Sequence, residues 1–573
     1  MPDQASSKWE LVDAHCPALV IDESPLVRLS TAYTLGSGLA VSEGGGLLLY
    51  RRSQLVEEWQ SLRMCVCNTY AELMIVGPPG TGKSCAAFVF ACSLDRSDWD
   101  VVWIHCPKRG IGQLQCILFR GANDKWTCEI SPNELESLLK SLQDRTIVFV
   151  DGYTDKKASG GILENACVLW REGLKMYHRL VWVSSMLSLG KNYYPTQYEI
   201  IPTAVDATTL KSNAVFDAPA PQAVIKDEEL FELMSWTLED YELAMANDEF
   251  FEHVKTKFTD TKEPLLWEER KQLLEDKFFV VGGNARYMFE CSVEEAVVEL
   301  NKAIEATDNI EEYVKGTRGI FSSGAVNRLF SWYRGEGNAE SSLLSKHVAR
   351  KLAQMLGPSF VQKISASLSM NPSLDGHLLE LWFFAKLTHG GVECYNIDQD
   401  GATFLQEKWE SEKVPYFDPN GRIPLNQAKQ WLAPQKWNQG GYDAVFVELL
   451  DDDERHLVGT QAMRVRIRFV QVTRADKHSF KDQFFAMLLR KLTNSLRGYR
   501  FEAVGVYFAV PIRKLATFKP KVDVLQVQKD VLVPAGLEVE TTSVAVEVVG
   551  LHYKEFRASD DPKRLEIKRF KSE

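Results

Sequence analysis

The chain has 573 residues, of which 45% are hydrophobic and 25% are charged, and its formal net charge is -12. Such proportions are typical of a globular protein, and at roughly 100 to 200 residues per domain the length predicts about three to five structural units. The acidic balance argues against a protein that coats nucleic acid with its whole surface, although a local basic groove is compatible with it.

Membrane and secretory patterns are absent from the sequence. No run of about 18 or more apolar residues occurs, so no membrane span and no membrane partner are predicted. The first residues lack a basic start that leads into an apolar stretch, so no secretory signal is predicted. The 11 cysteines show no repeated spacing of a metal or redox site, which is typical of reduced and mostly buried thiols.

Apolar runs alternate with helical patterns in the first part of the chain. Residues 71–94 have the pattern of an apolar strand, a glycine-rich loop and a helix. The runs at 99–106, 145–152 and 179–186 predict fully buried parallel strands. Strands that alternate with helices predict an α/β sheet.

The loop GPPGTGKS fits the phosphate-binding pattern G-x-x-x-x-G-K-[ST]. Its glycines permit a tight turn whose N–H groups converge on phosphate oxygens at a helix N-terminus. The predicted nucleotide-binding residues of the loop are Gly77, Gly80, Thr81, Gly82, Lys83 and Ser84. Lys83 is predicted to reach the β- and γ-phosphates, and Ser84 to hold Mg²⁺. The alternative is a glycine-rich turn between two core elements.

A nucleotide site also needs an acid on a neighbouring strand to organise the metal shell. Asp151 ends the apolar run TIVFVD and is predicted to have this role. Gly152 follows, where many ATPases have a glutamate that orients water, so hydrolysis is predicted to be slow or to use another residue such as Asp155. Ser184 and Ser185 are candidates for sensing the γ-phosphate, although small hydroxyl residues commonly end strands.

Residues 221–320 predict a charged helical extension after a Pro/Ala-rich break at 217–224. Within it, Gly282 and Gly283 precede a predicted helix and place Arg286 in its first turn. A cation at a helix N-terminus opposes the helix dipole, and a phosphate partner would compensate for this. Arg286 is therefore a candidate nucleotide sensor, and the alternative is an ordinary solvated arginine.

The C-terminal half contains a second candidate site. Metal-dependent nucleases hold carboxylates together to bind one or two Mg²⁺ ions. Asp443 begins an apolar strand, and the strand RFVQVT can lie beside it with Gln471 and Thr473 emerging on one face. Glu380, in the preceding helix, is a candidate third oxygen ligand. This helix-strand-strand order is typical of a restriction-endonuclease-like core, although each residue alone also has a structural interpretation.

Basic residues surround this second site. Arg464, Arg466 and Arg468 alternate on the strand face opposite Gln471. Further basic residues follow in the sequence: Arg474, Lys477, Lys481, Arg490 and Lys491. Clustered cations in an acidic protein favour local contact with a phosphate backbone.

Five segments together resemble the Crinkler effectors of oomycetes and fungi and the related retrotransposon hot spot proteins of trypanosomes. They are GPPGTGKS, IVFVDG, SWTLEDYELA, FFVVGGNARYMFE and FVQVTRADKHSFK. Proteins of this group join a P-loop NTPase with a helical extension to a restriction-endonuclease-like domain, whose motif reads Q-x-T followed by H-x-x-K. The resemblance implies a nuclease site that consists of Asp443, Gln471, Thr473, His478 and Lys481. It implies a nucleotide site that includes Lys83, Ser84, Asp151 and Arg286.

The resemblance also implies cofactors, partners and location. ATP or GTP and Mg²⁺ are the implied cofactors, with Ser84 and Asp151 as metal ligands at one site and Asp443 and Gln471 at the other. DNA and host proteins are the implied partners of a secreted protein that acts in the host nucleus. The leading hypothesis is an effector in which NTP binding or hydrolysis regulates a DNA-cleaving or DNA-binding domain. Rival hypotheses are a nucleotide-switched interaction protein without nuclease activity and a motor ATPase that remodels nucleic acid.

The predicted fold class is α/β, with a parallel P-loop NTPase sheet and a helical extension followed by a restriction-endonuclease-like α/β domain. The predicted divisions are an N-terminal segment at 1–45, the NTPase core at 46–220, the helical extension at 221–320, a helical connector at 321–372, the endonuclease-like domain at 373–555 and a charged tail at 556–573. We find no internal repeat that would alter this division.

Overall fold

A computed structural model of the chain describes residues 8–12, 15–21, 23–39, 46–64, 66, 72–97, 99–107, 113–153, 160–173, 177–184, 229–307, 328–334, 339–366, 377–410, 413–419, 421–434, 441–450, 463–475 and 480–553. The fold is a mixed α/β one with two 8-stranded sheets, which confirms the α/β class. The chain divides into two compact units. Unit 1 comprises Met1–Glu263, Gly283–Ser292 and Thr317–Ala339, and unit 2 comprises Pro264–Gly282, Val293–Gly316 and Glu340–Glu573.

The first sheet lies in unit 1. The strands of this region are β1 (Glu10–Leu11), β2 (Leu26–Leu29), β3 (Leu47–Tyr50), β4 (Glu72–Val76), β5 (Asp100–His105), β6 (Leu114–Arg120), β7 (Asp124–Ile130), β8 (Thr146–Tyr153), β9 (His178–Ser184) and β10 (Glu229–Glu232). The sheet order is β1-β7-β6-β5-β8-β9-β4-β10, and β2 pairs with β3. The neighbours among β5, β8, β9, β4 and β10 are parallel. Parallel strands were predicted for β4, β5, β8 and β9, whereas β10 was not predicted. The antiparallel strands β6 and β7 were not predicted.

The second sheet lies in unit 2. The remaining strands are β11 (Phe330–Arg334), β12 (Ala339–Leu343), β13 (Val392–Ile397), β14 (Thr403–Trp409), β15 (Tyr416–Phe417), β16 (Lys429–Pro434), β17 (Ala444–Leu450), β18 (Arg464–Val472), β19 (Arg500–Pro511) and β20 (Ser543–Leu551). The sheet order is β14-β13-β20-β19-β18-β17-β16-β15. β18, β19 and β20 are parallel neighbours, whereas β17 is antiparallel to β18.

Helices occupy much of the sequence between the strands. They are α1 (Thr31–Thr34), α2 (Ser53–Leu62), α3 (Lys83–Ser93), α4 (Leu135–Lys140), α5 (Gly160–Gly173), α6 (Leu238–Ala246), α7 (Asp248–Val254), α8 (Trp267–Val281), α9 (Ala285–Glu290), α10 (Val293–Glu305), α11 (Lys346–Leu356), α12 (Pro358–Ala366), α13 (Leu378–Thr388), α14 (Asp482–Ser495) and α15 (Val524–Val527). Across the described ranges, every helix is too short or too polar to span a bilayer.

Three sequence predictions differ from this architecture or fall outside it. The predicted helical extension at 221–320 also contains the strand β10. The helical prediction for 321–372 is wrong in part, because the region contains β11 and β12 before its two helices. The predicted break at 217–224 lies outside the described residues.

A buried ion pair fixes the start of β4, the strand that leads into the phosphate loop. Arg171 on α5 pairs with Glu72 at the first position of β4, and both side chains are buried. Trp182 Nε1, on the adjacent β9, donates to the second Glu72 oxygen at 2.6 Å. Because each charge is satisfied by the other, the pair holds β4, β9 and α5 in one arrangement.

We predict that Arg171→Met destabilises the protein by about 3–5 kcal/mol, because Glu72 becomes an unpaired buried charge. Urea denaturation followed by tryptophan fluorescence measures the change. The double variant Arg171→Met/Glu72→Gln, which removes the unpaired charge, is expected to recover most of the loss. Arg334→Met is the matched control, because its ion pair with Glu57 is exposed and is worth about 1 kcal/mol or less. Equal losses in both single variants would contradict the prediction.

Candidate functional site

The predicted phosphate loop connects β4 to α3 in unit 1. Gly80 has φ 81° and Gly82, the residue before α3, has φ 100°. Side chains rarely adopt this left-handed conformation, so glycine suits both positions. A Cβ atom at Gly77 would overlap Leu233 O, and one at Gly80 would overlap the Asn284 side chain. The loop glycines therefore serve both the turn and its close packing.

Lys83 lies folded over the loop that precedes it. Its Nζ donates to Gly77 O at 3.0 Å and to Pro78 O at 2.8 Å, and the residue is buried. Thr81 Oγ1 donates to the same Pro78 carbonyl at 3.1 Å. Because these are ordinary hydrogen bonds to neutral carbonyls, phosphate oxygens are stronger acceptors for the Lys83 ammonium.

Ser84 and Asp151 meet at the carboxyl end of the sheet. Ser84 Oγ donates to Asp151 Oδ1 at 2.6 Å, and Asp151 is buried. The strand of Asp151, β8, is separated from β4 by β9, so the acid reaches Ser84 from the second strand away rather than from the neighbouring one. Hydroxyl and carboxylate oxygens are the ligands that Mg²⁺ prefers, so this pair fits the predicted metal.

His105, which the sequence analysis missed, is the second partner of Asp151. Its Nδ1 lies 2.8 Å from Asp151 Oδ2. The two residues are opposite each other in the parallel register of β5 and β8. The imidazole therefore fixes the orientation of the carboxylate, as residues behind metal ligands commonly do.

Gly152 adopts a conformation that excludes the glutamate found at this position in many ATPases. Its φ is 76°, and a Cβ atom there would lie 2.8 Å from Cys106 O. Ser184, a predicted γ-phosphate sensor, is buried and donates to Tyr153 O at 3.1 Å. The other two candidates near this edge, Asp155 and Ser185, lie outside the described residues.

The backbone of Arg286 contacts the phosphate loop. Its N–H donates to Gly80 O at 3.2 Å, and Asn284 caps α9 by accepting from Tyr287 N at 3.1 Å. The Arg286 guanidinium is half-exposed and pairs with Glu290 at 3.6 Å. The position therefore agrees with a sensor, whereas contact of the guanidinium with nucleotide stays a prediction.

A buried glutamate that the sequence analysis missed lies near the loop lysine. Glu58 on α2 is fully buried, and neither carboxylate oxygen has a hydrogen-bond partner within the described ranges. Its helix packs on α3, where Trp59 Nε1 donates to Ala86 O at 3.0 Å. Burial raises the pKa of Glu58 to about 8, although Arg52 and Lys83 oppose the rise. Glu58 is therefore mostly protonated at neutral pH.

The second candidate site, in unit 2, begins with Asp443. Asp443 lies one residue before β17, and its N–H donates to Val470 O at 2.8 Å. Its Oδ2 accepts from Val472 N at 2.6 Å. Because Ala444 pairs with Val470, Asp443 lies beside Gln471 at the end of β18. The pairing of β17 with β18 therefore places Asp443 and Gln471 next to each other, as predicted.

Gln471 and Thr473 share a strand face with Phe469, as predicted, but they do not emerge from the core. Gln471 is 4% exposed and Thr473 is 6% exposed. The Thr473 hydroxyl accepts from Ala475 N at 3.1 Å. The prediction that this pair leaves the core at the strand end is therefore wrong, because the strand end is covered.

Glu380, near the start of α13, is held by two basic side chains. The Arg350 guanidinium on α11 binds Glu380 Oε1, and His377 Nδ1 lies 3.1 Å from Oε2. Lys346, also on α11, donates to His377 Nε2 at 2.6 Å. Arg350 also donates to Pro434 O at 3.3 Å and is buried. The sequence analysis missed Arg350, His377 and Lys346.

Charges in this cluster are compensated internally. Burial raises the pKa of Asp443 to about 8, and the Glu380 carboxylate adds to the rise. Burial would also raise the pKa of Glu380, but Arg350 and His377 outweigh it and hold that pKa at about 2. At neutral pH Glu380 is therefore ionised, whereas Asp443 retains its proton.

The cluster in this arrangement does not fit Mg²⁺. Both Glu380 oxygens are occupied by Arg350 and His377, so a divalent ion would compete with a buried guanidinium. In the part of the chain that the structure describes, no group of three or more His, Cys, Asp or Glu side chains is placed to hold a metal ion. The predicted metal site at Asp443 and Gln471 stays a prediction that requires Arg350 to withdraw.

Two predicted nuclease residues remain, His478 and Lys481. His478 lies outside the described residues, as does the neighbouring basic residue Lys477. Lys481 is exposed immediately before α14, and none of the described hydrogen bonds of Asp443 or Glu380 involves it. A single site that combines these residues with Asp443 and Gln471 therefore stays a prediction.

The predicted basic face of β18 is largely neutralised. Arg466 donates to Glu502 at 3.0 Å, and Arg464 lies 3.6 Å from the same carboxylate. Arg468 donates to Glu407 at 3.1 Å and lies over three aromatic rings. Paired arginines attract a phosphate backbone less than free ones, so this face gives limited support to DNA contact.

We predict that Glu58→Gln becomes more stable relative to the unchanged protein as pH rises from 5 to 8. The folded-state pKa of Glu58 lies above its unfolded value, so the stability linked to this proton is present at low pH and is lost as pH rises. The relative gain is expected to be a few kcal/mol, at about 1.4 kcal/mol per pKa unit. Denaturant unfolding at each pH measures it. Glu57→Gln is the control, and identical pH profiles for the two variants would refute the prediction.

No protein-family model matches this chain, and no curated protein is significantly similar to it. Two variants of RuvB from Thermotoga maritima are similar solved structures. One is 14% identical with a TM-score of 0.23, and the match covers 62% of this chain and 90% of the RuvB chain. The other is 13% identical with a TM-score of 0.24, and the match covers 62% of this chain and 91% of the RuvB chain. Scores this low assign no family, so function is argued from the geometry of the two sites.

Proposed function

We propose that this protein binds a nucleoside triphosphate, ATP or GTP, with Mg²⁺ at the phosphate loop and hydrolyses it slowly. The observation that carries the proposal is the 2.6 Å contact between Ser84 and Asp151 beside the loop. These two residues would hold Mg²⁺, which when bound neutralises charge on the β- and γ-phosphate oxygens. The loop backbone would cradle the phosphates at the start of α3.

Lys83 has a defined part in nucleotide binding under this proposal. Its Nζ would exchange the carbonyls of Gly77 and Pro78 for phosphate oxygens. His105 would keep the Asp151 carboxylate directed at the metal shell. Slow hydrolysis follows from Gly152, whose backbone leaves no place for a glutamate that orients water.

We further propose that unit 2 acts on DNA, by cleavage or by binding, through the cluster of Asp443, Gln471 and Glu380. The resemblance to the Crinkler and retrotransposon hot spot proteins supports this assignment, and it also supports a secreted effector that acts in the host nucleus. The position of Asp443 beside the end of β18 agrees with it. In this proposal the nucleotide site of unit 1 regulates the DNA site of unit 2.

A second candidate function is a nucleotide-switched interaction protein that cuts nothing. The engagement of Glu380 by Arg350 and His377 favours it, because the arrangement resembles a satisfied ion-pair network more than an open metal site. A motor ATPase is less favoured, because Gly152 leaves hydrolysis slow.

We predict that Lys83→Ala weakens binding of ATP or GTP by about tenfold or more. The lost interaction is a charged hydrogen bond to phosphate, which is worth about 1.5–3 kcal/mol. Isothermal titration calorimetry with each nucleotide and MgCl₂ measures the affinity and identifies the preferred base. Asp151→Asn is expected to remove the contribution of Mg²⁺ to the affinity. Lys140→Ala, at an exposed lysine paired with Glu136, is the control.

Unchanged affinity in Lys83→Ala would overturn the nucleotide proposal. Equal losses in Lys83→Ala and Lys140→Ala would show a general effect on folding instead. Circular dichroism of both variants separates these outcomes.

We predict that the purified protein nicks supercoiled plasmid in the presence of MgCl₂ and ATP or GTP, and that Asp443→Asn reduces the rate by about 100-fold or more, as expected for a positioned catalytic acid or base. Gel electrophoresis of the plasmid measures the rate. Asp400→Asn, at an exposed aspartate of the same unit, is the control and is expected to keep full activity. Absence of nicking together with retained DNA binding would leave a DNA-binding function. Absence of both would favour the interaction protein.

A further inference from the structure

Positive charge is concentrated in one stretch of unit 2. Residues 474–521 contain 11 lysines and arginines but three aspartates and glutamates, a net charge of +8 in a chain whose formal net charge is -12. The last four of these cations come directly after β19 and belong to residues 512–521, which we call the basic segment: Arg513, Lys514, Lys519 and Lys521. An excess of this size in an acidic protein is typical of a surface that attracts an anionic partner.

Apolar side chains fasten the basic segment to the core of unit 2. Leu515 and Phe518 are buried, and the Phe518 ring lies 5.7 Å from the Phe508 ring of β19. A Cβ atom at Gly550, near the end of β20, would lie 2.8 Å from Leu515 Cδ2. The backbone also forms a turn, since Phe518 N–H donates to Lys514 O at 2.8 Å. The basic segment is therefore held in place by contacts within its own unit.

The same segment leaves its cations at the surface. Arg513, Lys519 and Lys521 are exposed. Asp523 is the acid nearest to the basic segment in sequence, and its side chain caps α15 by accepting from Gln526 N at 2.8 Å. Across the described ranges, neither Lys519 nor Lys521 takes part in an ion pair. Each lysine therefore keeps solution counterions that a phosphate backbone would displace.

The basic segment lies at the edge of the second sheet that carries Asp443. Since β18, β19 and β20 are parallel, their carboxyl ends share one edge, and the basic segment follows the end of β19. Lys514 Nζ donates to the carbonyl of Arg474, the residue after Thr473. Asp443 Oδ2 accepts from Val472 N at the end of the same strand, β18. A few residues of β18 and its continuation thus connect the cations to the candidate site.

We propose that the basic segment binds the phosphodiester backbone of duplex DNA and holds it at the sheet edge beside Asp443. This assignment rests on the proposed DNA function and names the surface that would contact the phosphates. Such contacts position a duplex without reading its sequence. Because the segment is already fixed by core contacts, little of its conformational freedom would be lost on binding. The cations of the β18 face are less suited, since Arg464 and Arg466 already share Glu502.

Fluorescence anisotropy of a labelled DNA duplex, measured with the full chain at several KCl concentrations, tests this assignment. All variants carry Asp443→Asn to keep the duplex intact, and ATP or GTP and a fixed low concentration of MgCl₂ are present throughout. Each phosphate contact contributes about 0.9 to the slope of log Kd against log [KCl]. Lys519→Ala/Lys521→Ala is therefore expected to reduce that slope by about 2, and to weaken binding to two duplexes of different sequence equally.

Arg464→Ala/Arg466→Ala is the matched control, because it removes the same amount of charge from the same unit. Arg466 lies 3.0 Å from Glu502 and Arg464 lies 3.6 Å from it, so these cations are already compensated. The control is expected to keep the slope of the Asp443→Asn protein. Circular dichroism checks that both variants are folded.

Four outcomes are distinguishable. A smaller slope in the lysine variant alone supports the assignment. An unchanged slope in that variant, or an equal reduction in both variants, overturns the basic segment as the contact surface and leaves the proposed DNA function intact. Stronger displacement of the label by an RNA duplex than by unlabelled DNA overturns the choice of DNA. Absence of duplex binding by both the unchanged protein and Asp443→Asn overturns the proposed DNA function, and the assignment fails with it.

Discussion

The hydrogen bond between Ser84 and Asp151 is the contact on which the first half of the structure depends. It joins the first turn of α3 to the end of β8, across the intervening strand β9. The contact requires β4 to be held in place, because β4 leads into the loop before Ser84. The buried ion pair of Glu72 and Arg171 anchors the first residue of β4. It also requires an oriented carboxylate, which His105 provides. The geometry beside the phosphate loop thus depends on side chains outside the loop motif.

The second half is governed by a different constraint, the compensation of buried charge. Glu380 is ionised because Arg350 and His377 hold it, and Asp443 stays protonated because burial and Glu380 disfavour a second negative charge. Removing one partner of such a buried pair is costly, because it leaves an uncompensated charge in the core. Under the proposed DNA function, access to Glu380 would therefore require Arg350 to move.

Local pattern was sufficient for some of the elements and for the loop, but it missed β6, β7, β11 and β12. The buried parallel strands, the phosphate loop and the neighbouring positions of Asp443 and Gln471 followed from apolar runs and motif order. The partners of buried groups could not be predicted in this way. His105, Arg350 and Glu58 come close to their sites only through tertiary packing. Glu58 did have a signal, since it lies on the apolar face of α2, and a carboxyl on such a face is rarely solvated.

The left-handed backbone of Gly152 has a consequence for how long the proposed nucleotide state lasts. A side chain there would collide with the backbone oxygen of Cys106, the residue after β5, so a glutamate at this position is strongly disfavoured. Under the proposed function, hydrolysis would need a water-orienting group from a separate element or would proceed without one. The proposed nucleotide-bound state would then be long-lived.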